Sequence, residues 1–154
     1  MKAHSQNTQM SVENLEARSL MSAVAYGDFN NDGLVDILIS NLDGPPTLLR
    51  NDGGNQNNWI LIKCVGTRSN RSAIGTRVKV TAAGRSQIDE VMSGSGYYSQ
   101  NDLRLHFGLG RAAGADSVEI AWPSGGKETF RDLAANQVFV IQEGKGIVSA
   151  RKPG

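Results

Sequence analysis

A run of oxygen-bearing side chains near the beginning of the chain has the type and spacing of a metal site. It reads D-x-N-x-D-G-x-x-D, and its side-chain oxygens come from Asp28, Asn30, Asp32 and Asp36. Calcium takes about six to eight hard oxygen ligands, and a tight loop supplies them from alternate side chains when a glycine permits the sharp reversal. At this spacing Leu34 would add its backbone carbonyl. The sequence therefore predicts a calcium site made of these five residues.

The residues that flank this loop indicate what kind of loop it is. An EF-hand would need a bidentate acid at the twelfth loop position, and Ile39 stands there. Short apolar runs at residues 23–26 and 37–39 predict a strand on each side rather than a helix. An Asx-rich hairpin without an ion is the alternative, because Asp, Asn and Gly form turns by themselves. Four spaced donors are more than a turn needs, which favours the cation.

The elements that would position this loop are short strands. Residues 22–50 alternate apolar runs with turn residues, which predicts a meander of three strands, at 23–26, 35–39 and 47–49. From Trp59 onwards seven further runs predict a β-sandwich-like domain: 59–65, 76–82, 86–92, 103–107, 117–122, 128–131 and 138–141. No segment of helix length shows an apolar stripe. The predicted fold class is all-β.

These runs divide the chain into parts. Residues 1–21 are polar and without periodicity, which predicts a loose N-terminal arm. Residues 22–50 form the loop-bearing unit, and residues 51–58, rich in Asn, Asp and Gly, form a linker. The β domain occupies residues 59–143 and a tail occupies residues 144–154.

Composition and charge exclude several classes of partner. The chain has 154 residues, 39% of them hydrophobic, and its 16 Lys and Arg against 15 Asp and Glu give a net charge of +1. Without a block of like charge, neither nucleic acid nor an anionic membrane surface is an expected partner. The apolar runs are far shorter than the roughly 20 residues of a membrane-spanning helix. The residues after Met1 lack a signal peptide's apolar core, and the single cysteine permits no intramolecular disulfide.

Candidate catalytic residues are few. His4, His106 and Cys64 are the histidines and the cysteine of the chain, too few and too distant for a zinc cluster. Acidic residues could converge as a glycosidase pair, which keeps a carbohydrate-active enzyme open as an alternative: Asp89, Glu90, Asp102, Asp116 and Glu119. We predict no catalytic residue and no cofactor except Ca²⁺.

Other polar and aromatic residues have two interpretations each. Trp59 and Trp122 lie in apolar strands and are expected to pack in the β core, although an exposed Trp could stack on a sugar. Asn70 formally begins a glycosylation motif, for which a plain turn is the better account. A further set could line a recognition face or an ordinary solvated sheet surface: Arg71, Arg77, Tyr97, Tyr98, Gln100, Arg104 and His106.

Two stretches resemble known families. Residues 26–38, which contain the predicted calcium loop, resemble an FG-GAP or VCBS-type repeat, the blade unit of integrin-like β-propellers. The remainder resembles the ASPIC/UnbV domain that follows such repeats in cartilage-acidic-protein-like proteins. The matching words are Asn58-Trp59, Gly66-Thr67, Ser69-Asn70-Arg71-Ser72-Ala73-Ile74-Gly75, Arg77-Val78, Gly96-Tyr97, Ser99-Gln100, His106-Phe107-Gly108-Leu109-Gly110, Trp122-Pro123-Ser124-Gly125 and Ala135-Asn136-Gln137.

The resemblance implies a secreted or cell-surface recognition or adhesion module, with an extracellular protein or glycan as its ligand and no catalytic residues to assign. A propeller needs at least about four blades, and one blade-like unit is present. The chain is therefore expected to be the C-terminal part of a longer protein, or a short protein that associates. A purely structural domain that closes a propeller is a further alternative.

Self-association is expected from the meander itself. It would leave two unpaired strand edges and an apolar face made of Val24, Tyr26, Ile37, Ile39 and Leu48. Such surface is normally covered, either by the chain's own β domain or by a second copy. Of these two arrangements, the sequence favours a homodimer.

Overall fold

Strands account for the regular secondary structure in the part of the chain that the structure describes. The computed structural model describes residues 23–53, 56–96 and 98–152, and within these ranges no helix is present. In chain order the strands are β1 Ala23–Gly27, β2 Asp36–Ser40, β3 Thr47–Leu49, β4 Asn58–Val65, β5 Arg77–Ala82, β6 Arg85–Glu90, β7 Leu105–Gly110, β8 Gly114–Ala121, β9 Lys127–Ala134, β10 Gln137–Gln142 and β11 Gly146–Arg151. The predicted all-β fold class is confirmed.

Two four-stranded sheets form a sandwich. One has the strand order β11-β10-β4-β7 and the other β6-β5-β8-β9. β10 and β4 run parallel, and the other pairs in both sheets are antiparallel. Ile60 and Ile62 of the first sheet share one buried cluster with Val78, Val80 and Val118 of the second. Side chains from alternate positions of both sheets therefore fill a single core between them.

β4 is buried on both of its faces. Ile60 and Ile62 point into the sandwich core, while Trp59 and Leu61 form a second buried cluster with Val138 of β10. Because successive side chains of a strand point to opposite sides, this second cluster lies on the outer face of the sheet. The unbroken apolar run of β4 is typical of a strand that is covered on two sides. Another part of the chain must supply the outer cover.

The first three strands form a separate antiparallel sheet, the meander, in the order β1-β2-β3. Its register pairs Tyr26 with Ile37 and Ile37 with Leu49, whereas Leu48 pairs with Leu38. Since paired residues point to the same side, Leu48 lies on the face opposite to Ile37. The expectation that both share one face is wrong, because the register of β3 depends on the turn before it. Apolar side chains are exposed on both faces.

The ten predicted strands all occur, with ends that differ by at most three residues. β7 begins at Leu105 and continues to Gly110, beyond the predicted end at Phe107. Glycine is a poor strand former, and pairing of Gly108 with Trp59 on β4 overrides that preference. β11 lies within the predicted tail and pairs with β10. The predicted N-terminal arm lies outside the described residues.

Glu143 fastens three segments at one end of the sandwich. Its buried carboxylate accepts backbone N–H groups of Thr67, Arg68 and Ser69 at 2.9, 2.8 and 2.7 Å. It also accepts the hydroxyls of Ser69 and Ser124. Desolvation by burial would raise the pKa of Glu143, but the bonds from Ser124 and the three amides outweigh it and lower this pKa to about 2. The charged carboxylate is thus part of the folded structure.

Replacement of Glu143 by Gln should lower the melting temperature by roughly 5 °C or more, because the amide cannot accept the same set of donors. The unfolded side chain has a pKa of 4.5 and the folded one a pKa of about 2. The stability that this group contributes is therefore present above about pH 4.5 and is lost as pH falls towards 2. Thermal melts between pH 3 and 7 measure the lower melting temperature of the variant. They also measure the loss of stability of the unaltered chain as pH falls.

Glu119→Gln is the matched control. Glu119 pairs with Lys79 at 3.0 Å, and both side chains are about half exposed, so its replacement should change the melting temperature little. Equal losses for the two variants would contradict the role of Glu143.

Candidate functional site

The predicted calcium loop connects β1 to β2 and is folded around two buried carboxylates. Asp28 accepts the backbone N–H groups of Asp32 at 3.0 Å and Gly33 at 2.9 Å. Asp36 accepts the N–H groups of Phe29 at 3.2 Å and of Asn51 at 2.8 Å. The side chains of Asp28 and Asp36 belong to residues that are only 3% and 2% exposed. These two acids close the turn from its first and last positions.

The remaining predicted ligands lie on the open side of the same turn. The amide nitrogen of Asn30 donates to Asp32 at 2.7 Å, and the amide oxygen of Asn30 accepts the N–H of Asp32 at 3.2 Å. Asp32 also accepts the N–H of Leu34 at 2.8 Å. The turn thus brings all five sequence-predicted residues into one loop. Within the described residues, no three His, Cys, Asp or Glu side chains form a metal-binding group by themselves.

The loop carries negative charge without an ion pair. Among the described residues, Asp28, Asp32 and Asp36 form no salt bridge. Arg50 pairs instead with Asp52, which raises the pKa of Arg50, and the charges of Asp32 and Asp36 add smaller contributions to that rise. The loop therefore combines oxygen donors with carboxylates that form no salt bridge among the described residues, a donor set of the kind that a hard cation takes.

Arg104 connects the sandwich to this loop from the segment that precedes β7. Its guanidinium donates to the backbone carbonyl of Asp28 at 2.7 Å and to the side-chain oxygen of Asn31 at 2.6 Å. The same group pairs with Asp102, whose carboxylate also accepts the N–H of Arg104 at 2.9 Å. Asp102 thereby holds the guanidinium in the direction of the loop.

His106 and Trp59 make the second connection. The Nε2 atom of His106 lies 2.8 Å from the carbonyl oxygen of Gly33. A carbonyl can only accept, so Nε2 carries the proton in this contact. The imidazole stacks on Trp59, with ring centroids 5.9 Å apart and an angle of 20° between the planes. The loop thus supplies the cover that the outer face of β4 requires.

No residue other than glycine fits at position 33, where the loop contacts Trp59. A Cβ atom there would lie 1.8 to 2.3 Å from the indole of Trp59, and the φ of Gly33 is +88°. Both the close approach and the left-handed backbone require glycine. The glycine that permits the sharp turn of the D-x-N-x-D-G motif therefore also lets the loop lie flat on Trp59.

The edge of the meander and the sandwich enclose a small cavity. The N–H of Tyr26 donates to the side chain of Asn101 at 3.1 Å, and the N–H of Asp102 donates to the carbonyl of Tyr26 at 3.1 Å. A cavity of about 270 Å³ lies beside these bonds, with Leu61 and Glu90 among its lining residues. We refer to these contacts, together with those of Arg104, His106 and Trp59, as the junction.

Other sequence-predicted residues are dispersed. Arg104 and His106 meet at the loop, whereas Arg77 pairs with Glu90, and Gln100 bonds the backbone around Met92 and Gly94. Tyr97 lies outside the described residues. The side chain of Asn70 bonds both backbone groups of Ile74, which supports the turn interpretation. Trp122 is in the sandwich core, as expected.

The role of Arg104 and His106 at the loop was missed. The alternation along this segment gives a partial signal, because Leu105 and Phe107 point into the core and the residues between them must point away from it. What they contact on that side lies more than 70 residues earlier in the chain. No local pattern could have supplied that partner.

The fold and the loop define a β-sandwich domain preceded by a loop-bearing meander. Residues 66–148, more than half of the chain, match the family described as ASPIC and UnbV. The chain therefore belongs to the ASPIC and UnbV family. It is 32% identical over 120 residues to cartilage acidic protein 1 of Mus musculus and of Homo sapiens, and 30% identical over 118 residues to that of Xenopus tropicalis.

These matches cover about three quarters of this chain and only 18% of each relative. The chain thus spans less than a fifth of the length of these relatives. Among the described residues, no helix is long and apolar enough to cross a membrane.

Replacement of Gly33 by Ala should separate the loop from Trp59. The positive φ alone costs about 1–2 kcal/mol for a residue with a Cβ, and the overlap with the indole should add about 1–3 kcal/mol. Gly84→Ala is the control, since Gly84 has a φ of +73° and a Cβ added there would have no atom within 4 Å. Thermal melts and tryptophan emission measure the difference. An equal effect of the two substitutions, with unchanged emission, would contradict the packing of Gly33 on Trp59.

Proposed function

We infer that this chain is a noncatalytic, calcium-binding recognition or adhesion module that works outside the cell as the C-terminal part of a longer protein. The observation that carries this proposal is the pair of buried loop carboxylates, Asp28 and Asp36, which have no salt-bridge partner among the described residues. Buried charges in proteins are usually paired or bound to a metal.

Comparison with Glu143 sharpens this argument. A carboxylate has roughly four acceptor positions. Glu143 fills its positions with five hydrogen bonds, so its charge is satisfied without a cation. Among the described residues, Asp28 and Asp36 each accept two N–H groups. Their remaining oxygen lone pairs support a site for a further positive partner.

The donor set fits calcium better than a softer metal. Asp28, Asn30, Asp32 and Asp36 offer only oxygen side chains, and Leu34 offers a backbone carbonyl, with no thiolate or imidazole among them. Oxygen ligands in a flexible loop suit Ca²⁺, whereas zinc prefers nitrogen and sulfur. The same residues support the assignment of residues 22–50 as an FG-GAP or VCBS-like repeat unit, followed by the linker at 51–58 and the ASPIC/UnbV-like domain at 59–143.

The proposal that the module is noncatalytic is supported by the state of its candidate groups. Asp102 is engaged by Arg104 and Glu119 by Lys79, so these acids have local ionic partners. Burial, and secondarily the charge of Glu128, raises the pKa of Cys64 to about 12, which leaves almost no thiolate at neutral pH. The alternative is a carbohydrate-active enzyme. Incubation of the full chain with a panel of glycans tests it, and hydrolysis of any of them would contradict the proposal that the module is noncatalytic.

A secreted or cell-surface location is proposed from the similarity to cartilage acidic protein 1. The ligand would be an extracellular protein or glycan. This chain spans only 18% of those relatives, so both the location and the ligand are proposed for it rather than taken over from them.

Calcium binding should be measurable with the isolated chain. Isothermal titration of chelator-stripped protein with Ca²⁺ at about 1–10 mM, the range of extracellular modules or weaker, should give one site and an increase in melting temperature. Asp32→Ala should abolish both, because it removes a donor from the open side of the loop. Asp43→Ala, in the exposed turn between β2 and β3, is the control. Absence of heat and of a thermal shift in the unaltered chain would refute the calcium site.

A structural role as one blade of a larger assembly is a second proposal, and the exposed faces of the meander favour it. Val24, Tyr26, Ile37 and Leu49 on one face are 40% to 55% exposed, and Leu38 on the other face is 46% exposed. A sheet that is apolar on both faces is suited to packing between two neighbours, as blades do in a propeller. In the isolated chain, a second copy is the available neighbour, and we propose a homodimer.

Light scattering over a concentration series in Ca²⁺ should therefore report the mass of two chains. The double substitution Ile37→Lys and Leu38→Lys, which charges both faces, should return the mass to that of one chain. Ile88→Lys is the control, because Ile88 is 66% exposed and belongs to β6 of the sandwich rather than to the meander. A constant monomer mass for the unaltered chain would contradict the homodimer.

A further inference from the structure

We propose that Arg104 and His106 of the sandwich are positioning residues that fix the backbone of the proposed calcium loop before any cation is present. This inference rests on the proposed calcium function and extends it, because it makes the affinity of the loop depend on a different part of the chain. Neither residue is among the predicted ligands. Each acts through a peptide unit of the loop.

The first peptide unit joins Gly33 to Leu34. Its carbonyl accepts a hydrogen bond from the Nε2–H of His106 at 2.8 Å, and its N–H donates a hydrogen bond to the carboxylate of Asp32 at 2.8 Å. A trans peptide is planar, with the carbonyl and the N–H on opposite sides. When His106 fixes the carbonyl, it therefore also fixes the direction of the N–H that holds Asp32. The imidazole orients a predicted ligand without contacting it.

The second peptide unit joins Asp28 to Phe29 and is held in the same way. Its carbonyl accepts a hydrogen bond from the guanidinium of Arg104 at 2.7 Å, and its N–H donates a hydrogen bond to the carboxylate of Asp36 at 3.2 Å. The planarity of the peptide again transmits the orientation from one side to the other. Arg104 therefore positions Asp36 through the backbone. Two side chains from one segment of the sandwich thus act on two ligands of the loop.

Both positioning residues are themselves held rigidly. Asp102 accepts the Nε–H of Arg104 at 2.6 Å, and the side chains of Arg104 and Asp102 are only 19% and 24% exposed. His106 belongs to β7, which is paired with β4, and its ring stacks on the buried Trp59. A rotation of either side chain would break these contacts. The sandwich therefore provides a fixed frame against which the loop is set.

The consequence for binding follows from preorganisation. A loop whose backbone is already ordered loses less conformational freedom when the cation arrives, and it binds more tightly for that reason. By linkage, a cation that stabilises this backbone arrangement also strengthens the contacts of the loop with Arg104 and His106. The loop and the sandwich should therefore respond to calcium as one unit.

His106→Phe is the diagnostic variant, because it retains a ring to stack on Trp59 and removes only the N–H donor. Loss of one hydrogen bond should weaken calcium binding about fivefold in a titration of the full chain. His106→Gln, which restores an N–H donor, should recover most of the affinity. Lys79→Met is the control, since Lys79 forms an exposed pair with Glu119 within the other sheet of the sandwich.

A metal-free measurement tests the inference independently of calcium. In EDTA, His106→Phe should accelerate hydrogen exchange of the Leu34 amide, and Arg104→Met should accelerate exchange of the Phe29 amide. Each variant should leave the other amide close to its rate in the unaltered chain. A general loss of stability would instead accelerate core amides such as that of Ile62 as well.

The outcomes separate the two proposals. If the unaltered chain binds no Ca²⁺ but the two amides respond selectively, the calcium function fails and the positioning role stands. Unchanged exchange of Leu34 and Phe29 in both variants overturns the positioning role, whether or not calcium binds. Calcium affinity that is equal in His106→Phe and the unaltered chain overturns the claimed effect on binding.

Discussion

The side chains of β4 alternate between two apolar environments, and this strand needs a cover on each side. Ile60 and Ile62 point into the sandwich, while Trp59 and Leu61 point outwards and are buried nevertheless. Exposure of an indole and a leucine would forfeit about 1.5–3 kcal/mol for each side chain. The loop between β1 and β2 covers this face through Gly33. The requirement to bury both faces of β4 thus brings the predicted cation site onto the sandwich.

Once the loop is seated there, its chemistry and its packing depend on the same contacts. Gly33 permits the turn and also the approach to Trp59, and its carbonyl is bonded to His106. Arg104 donates a hydrogen bond to the backbone carbonyl of Asp28, and its positive charge is paired with the carboxylate of Asp102. The buried carboxylates of Asp28 and Asp36 have backbone amides as their partners, and the carboxylate of Asp32 lies on the open side of the loop. The proposed cation would add positive charge beside these acids.

Much of the fold could be predicted because strands have a period of two and turns have characteristic residues. The ten runs were recognisable from their own sequence, and the D-x-N-x-D-G-x-x-D spacing identified the loop without reference to any other segment. The prediction was wrong where pairing decides the outcome. Gly108 and Gly110 belong to β7 because they pair with β4. Leu48 lies on the face opposite to the predicted one, because the turn before β3 sets the register of that strand. β11 was missed because its residues are largely exposed and its pairing with β10 is what defines it.

The sequence by itself determined the local features of this protein: which segments extend, where the chain turns, and which oxygen atoms alternate along the loop. Backbone preferences and the direction of successive side chains depend only on near neighbours, so a single pass along the chain reads them. The tertiary structure alone decided that Arg104 and His106 contact the loop, across 76 and 73 residues of sequence. It also decided that Glu143 gathers amides 74 to 76 residues away. Such contacts follow from burial of whole faces against one another, and no periodicity within a segment encodes which distant face it will meet.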